Sequence, residues 1–121
     1  MGEEICMIAP VEAVYEIVGV DYPSVVTAGS TFSITVRVHN RGERSTPTCW
    51  ISIRPRGVVL PAARKDHIYI PPCRVHSESF TLVAPRAEGS YIYDIYAGRV
   101  GNAEPDSSRT CLLYTSPSPR D

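Results

Sequence analysis

The sequence predicts an antiparallel β-sandwich from three observations: one segment of nearly perfect two-residue alternation, turn formers that punctuate the rest of the chain, and no stretch of helical periodicity. The alternation lies in 28–42. There Phe32, Ile34, Val36 and Val38 fall on one face of an extended segment, and Thr31, Ser33, Thr35, Arg37 and His39 fall on the other. Turn formers close it at both ends, Gly29 before and Asn40-Arg41-Gly42 after. One buried and one wet face is the pattern of an antiparallel strand whose sheet packs on a second layer.

The other elements follow in order. Val14 to Asp21 is apolar and β-branched and runs into Tyr22-Pro23, which predicts a first strand entering a Pro-Ser turn. After the anchor strand and a loop containing Ser45-Thr46-Pro47, Thr48 to Arg54 reads as a strand stopped by Pro55. Its pattern puts Cys49, Ile51 and Ile53 on one face and Thr48, Trp50, Ser52 and Arg54 on the other. Val58 to Leu60 and His67 to Ile70 are expected as short edge strands separated by Ala62-Ala63-Arg64-Lys65-Asp66. Val75 to Ala84 restores a strand with Phe80 and Leu82 inward. Gly89 to Ala97 is the last clear one, with Tyr91, Tyr93, Ile95 and Ala97 on one face and Ile92, Asp94 and Tyr96 on the other.

A chain of 121 residues fits one domain large enough to bury its own core. Net charge is −1, and its basic residues are scattered and mostly arginine, so the basic stripe of a nucleic-acid-binding surface is missing. The apolar run from Ile5 to Val11 is too short to span a bilayer and is broken by Pro10. No basic n-region precedes it, since the chain opens with Glu3 and Glu4. Met1 is therefore either the start of a cytoplasmic protein or internal to a longer reading frame, and the second is expected here.

Residues that carry chemistry are sparse. Gly-x-Ser-x-Gly, phosphate-cradling glycine loops, His-Glu-x-x-His and calcium loops are all absent, so no enzyme activity and no cofactor are predicted. Cys73 and His76, with Cys49 and His67, are zinc-ligand types. However, Cys73 and His76 point to opposite faces of an extended segment and the paired spacing of a finger is missing, so no metal site is predicted. A Cys49–Cys73 disulfide is geometrically open in an oxidising compartment, against the alternative of reduced, buried thiols.

About six short strands separated by turns resemble the immunoglobulin-like sandwiches. The closer resemblance is to the CARDB, or cell-adhesion-related, modules. It rests on Pro23, Gly29, the alternation from Phe32 to Val38, Asn40, Gly42, Ala84-Pro85 and Gly89-Ser90-Tyr91, and it covers roughly residues 17–98. Gly89-x-Tyr91 also resembles the tyrosine corner of these sandwiches, in which the hydroxyl returns to upstream backbone. Tyr93 stands where an antibody-type domain has its second cysteine, so the resemblance implies no inter-sheet disulfide. It also implies a seventh strand after Gly98, which the loop-like 99–110 does not supply.

Residues 111–121, Cys-Leu-Leu-Tyr-Thr-Ser-Pro-Ser-Pro-Arg-Asp, resemble a translated sequencing adapter. The expected organisation is thus a poorly defined segment 1–13, a CARDB-like sandwich over 14–110 that lacks its last strand, and an artefactual tail over 111–121. One sheet edge is left unpaired unless Cys111 to Thr115 fills the slot.

Trp50 supplies the candidate site. With Trp50 outward, the outward residues Ile92 and Tyr96 of the neighbouring strand join it in an exposed aromatic patch able to anchor a protein interface or a sugar ring. The alternative keeps Trp50 as an inward core tryptophan with Cys49 facing out. The family resemblance implies a non-catalytic structural or adhesive module of a larger cell-envelope or extracellular protein, whose partners are proteins or neighbouring domains. The other classes are a carbohydrate-binding accessory module of an enzyme and an intracellular scaffold or chaperone-like sandwich. Neither nucleic acid nor membrane insertion is expected.

Overall fold

The computed structural model describes residues 14–41, 48–57 and 62–117. Among the described residues there are eight strands: β1 (Tyr15–Asp21), β2 (Val25–Thr27), β3 (Thr31–Asn40), β4 (Cys49–Pro55), β5 (Ala63–Ile68), β6 (Val75–Val83), β7 (Gly89–Arg99) and β8 (Ser107–Ser116). They form a three-stranded sheet, β1-β3-β6, packed on a five-stranded sheet, β2-β8-β7-β4-β5. Every pairing is antiparallel except the short parallel contact of β2 with β8. The fold is an all-β sandwich.

The alternation of β3 organises the core, as its sequence dictates. Phe32, Ile34, Val36 and Val38 are buried and meet Cys49, Ile51 and Ile53 of β4, Tyr93, Ile95 and Ala97 of β7, and Cys111 and Leu113 of β8. Burying each of these aliphatic side chains contributes about 1.5–3 kcal/mol before chain entropy is counted. Phe32 meets Tyr93 edge-on, with ring centroids 6.2 Å apart. The expected tyrosine corner is present: the Tyr91 hydroxyl donates to the Ala87 carbonyl at 2.7 Å.

Asn40 has a further structural role. It is buried at the end of β3, its Nδ2 donates to the Ile70 carbonyl at 2.7 Å, and its backbone bonds to Cys73 and Arg74. One residue, through its side chain and its backbone, thereby fixes the β5–β6 connection to the end of β3, satisfying backbone groups that a buried loop would otherwise leave unpaired.

Three expectations need correction. The slot beside β7 is not vacant, because β8 runs from Ser107 through Ser116 and is paired along its length with β7. Its inward residues Cys111, Leu113 and Thr115 are buried while Leu112 and Tyr114 face out, so the five tail residues carry the period-two pattern that a final strand needs. The strand crosses residue 110 without a break.

β5 occupies the basic stretch expected to separate two strands. As an edge strand it needs no apolar alternation, and charged side chains there discourage pairing with other chains. A bulge at its end, with His67 at φ 58°, accommodates the register shift against β4. Residues 69–70 are not strand, and Val58 to Leu60 lies outside the described residues. β2 appears where only a turn was expected.

Of the two cysteine readings left open, the reduced, buried thiol holds for Cys49. Cys49 and Cys111 are free buried thiols, so Cys49 is not the partner of Cys73, which is disulfide-bonded. Burial pushes the Cys49 thiol up to about 12 and that of Cys111 to about 11, which leaves both protonated and unreactive at neutral pH.

Candidate functional site

The outer face of the five-stranded sheet carries the candidate site. Register fixes its geometry: on β4 the outward residues are Trp50, Ser52 and Arg54, which face Gly98, Tyr96 and Asp94 of β7, while Ser52 faces Arg64 of β5 on the other side. Trp50 does point outward, as the alternation predicts, yet it is only 5% exposed. Three contacts bury it. Its ring lies on Gly98, where an added Cβ would come within 2.8 Å of Cζ2. Its Nε1 donates to the carbonyls of Arg99 and Asn102 at 3.0 and 3.1 Å. The Arg64 guanidinium stacks over the ring, 4.6 Å from its centroid.

Tyr96 is half-buried in the next row, with the Arg54 guanidinium 5.9 Å from its ring centroid. Arg54 faces Asp94 directly in the ladder, but that carboxylate is already engaged. Arg56 grips it through two bonds of 2.7 and 3.2 Å, and Thr110 donates to it at 3.2 Å. The Arg56 bond, with help from Thr110, holds the Asp94 carboxyl below its usual value. Arg54 is left without an ion pair among the described residues, and its Nε is buried without a hydrogen-bond partner. The hydroxyl of fully buried Ser52 is likewise unpartnered. A cavity of about 150 Å³ lies over this row, lined by Trp50, Arg54, Arg64, Tyr96, Ala103 and Pro105.

Of the residues picked from sequence, the fold brings Trp50 and Tyr96 together and leaves Ile92 apart. Ile92 lies six positions from Gly98 along β7, roughly 20 Å from the Trp50 row at the rise of an extended strand. It pairs with Leu112, which is 58% exposed, near Val25 and Tyr114. Thus the patch divides into an aromatic–arginine cluster and an apolar strip, with Asp94 and its arginine between them. Sequence reasoning missed Arg54, Arg64 and Gly98, although the small residue opposite a tryptophan was the one available signal.

The metal-ligand types do not assemble. Cys49 is buried, Cys73 is disulfide-bonded, and His76 pairs with Glu78 at 2.7 Å. Among the described residues no group of three or more His, Cys, Asp or Glu is arranged to hold a metal ion. A larger cavity of about 850 Å³ opens between the sheets at one end, against Pro55, Leu82, Val83, Tyr91 and Tyr93, with no carboxylate, histidine or cysteine in its described lining. Among the described residues no helix is long and apolar enough to cross a membrane.

No family model and no curated protein matches the chain. Solved structures do match. The CARDB domain of the PF1109 protein from Pyrococcus furiosus, solved in complex with di-metal ions, superposes with a TM-score of 0.65 at 16% identity, over 85% of this chain and 86% of that one. The fold is that of a CARDB-type β-sandwich. The PKD domain of an M14-like peptidase from a Thermoplasmatales archaeon superposes at 0.57 with 17% identity, over 84% of this chain and 94% of that one. A conjugative transposon lipoprotein from Bacteroides eggerthii also gives 0.57, at 11% identity, over 83% and 96% of the two chains. The expected immunoglobulin-like, CARDB-like architecture is therefore present.

Proposed function

We propose that this domain is a non-catalytic contact module of a larger cell-envelope or extracellular protein, and that it meets a protein partner or neighbouring domain through the outer face of its five-stranded sheet. The observation that carries this reading is the pairing of a half-buried tyrosine with a guanidinium that has no carboxylate of its own among the described residues, beside a second guanidinium stacked on tryptophan. Arginine and aromatic side chains in a partly desolvated cluster are the composition of interface anchors. The CARDB-type fold supports the module reading, as does a structural neighbour that is one domain of a peptidase.

The carbohydrate-binding alternative loses its platform. Sugar rings stack on open aromatic faces, whereas Trp50 is covered by Arg64, Gly98 and the loop after β7.

Site-specific photo-crosslinking tests the proposal. With benzoylphenylalanine at position 96, cross-links to a protein or to another domain of the same polypeptide are expected in the native cells, and none with the same group at exposed Tyr69. Equal cross-linking at both positions, or none at either, would remove the reading.

A further inference from the structure

We propose that the cavity between Trp50, Arg54, Arg64 and Tyr96 is a carboxylate-binding site for an acidic peptide segment, an inference that rests on the contact-module reading above. Its walls supply donors and no acceptor charge. Arg54 has no ion pair among the described residues, and Arg64 gives its Nε to Asp66, at 2.9 Å. Glu104, in the loop that supplies Ala103 and Pro105, pairs with neither arginine. On this face Asp94 is paired with Arg56 and Asp66 with Arg64, so among the described residues Arg54 is the guanidinium here without a paired carboxylate.

The planar fork of a guanidinium matches a carboxylate in two parallel bonds, and stacking on an aromatic ring holds the fork in place. Arg64 is held in this way over Trp50, at 4.6 Å, while Arg54 lies at the edge of cation–π range of Tyr96, at 5.9 Å. A cavity of about 150 Å³ has the volume of about five water molecules. It admits the head of an aspartate or glutamate side chain. A sugar acid would need an open aromatic face for its ring, and the Trp50 ring is covered.

Titration of the protein with a blocked tetraglutamate peptide tests the site by NMR. The chain has one tryptophan, so its indole N–H is a single resonance beside the cavity, and the Arg54 Nε–H is a second reporter. Saturable shifts of both are expected with tetraglutamate and not with tetraglutamine. Arg54→Met should weaken binding roughly tenfold or more, and Arg64→Met, at an exposed position, should also weaken it.

The site is overturned if tetraglutamate moves neither resonance at about 10 mM, a range in which even millimolar binding is visible. Equal shifts with inorganic sulfate, stronger shifts with oligogalacturonate, or unchanged affinity in folded Arg54→Met would overturn it too. Cross-links at position 96 that survive Arg54→Met would sink the carboxylate site and leave the contact module standing. Their absence in the unaltered protein would sink the module itself.

Discussion

The two sheets meet along two seams, and the seams are closed by different chemistry. Where β1 borders β8, side chains bond directly to strand backbone. Asp106 accepts from the Tyr15 N–H at 3.0 Å, and Ser107 Oγ accepts from the Ile17 N–H and donates to the Tyr15 carbonyl, both at 3.0 Å. Arg109 donates to the Ile17 carbonyl at 2.8 Å. The open edge of β1 is thereby satisfied at Tyr15 and Ile17 without a further strand. Asp106 also accepts from Arg99 at 3.2 Å, and its side chain is almost wholly buried.

Where β5 borders β6, the closure is ionic and partly wet. Lys65 points inward from its edge strand, pairs with Glu78 and lies over the Phe80 ring, 5.5 Å from its centroid, while His76 meets the other Glu78 oxygen. The difference teaches that a sheet edge can be blocked either by satisfying its backbone or by placing charge beside it, and only the first stabilises strongly.

The largest test of that contrast is Asp106→Ala, which strips a partner from the Tyr15 amide and from a mostly buried Arg99. A loss of about 3 kcal/mol in urea unfolding is expected, and a loss below about 1 kcal/mol would place the two seams on equal terms. Ser107→Ala should cost about 1–2 kcal/mol and speed hydrogen exchange at the Ile17 amide ahead of the rest of β1.

Acid should weaken the second seam. Burial raises the Glu78 carboxyl, but bonds from Lys65 and His76 outweigh burial and hold it below its ordinary 4.5. Its contribution is thus present above about pH 4.5 and fades as pH falls through the folded value. Urea midpoints measured between neutral pH and about pH 3 should decline less steeply in Glu78→Gln than in the unaltered protein. The remaining slope belongs in part to Asp94, which is depressed in the same direction. Lys65→Met should change stability by less than about 1 kcal/mol at neutral pH, since half of that side chain is in water.

Both seams show where sequence pattern stops being informative. β1, β3, β4, β6 and β7 could be read from alternation because each turns one face to the core, and the tyrosine corner from the local spacing of Gly89 and Tyr91. β5 could not, since an edge strand carries charge where a central one carries valine. β2 could not either, because three residues paired in parallel with a strand almost ninety positions away leave no local period.

The candidate site was legible in the same partial way. That Trp50 and Tyr96 share an outward face follows from period two. That Ile92 stands a long way from them follows from register, which no local pattern states.

The sequence by itself determined which side chains face the core and which face away, because that alternation is a property of each extended segment alone. Only the tertiary structure decided which outward residues stay in water. Gly98 and the loop behind it cover Trp50, and Arg56 takes Asp94 from Arg54, through contacts between residues about 40 or more positions apart.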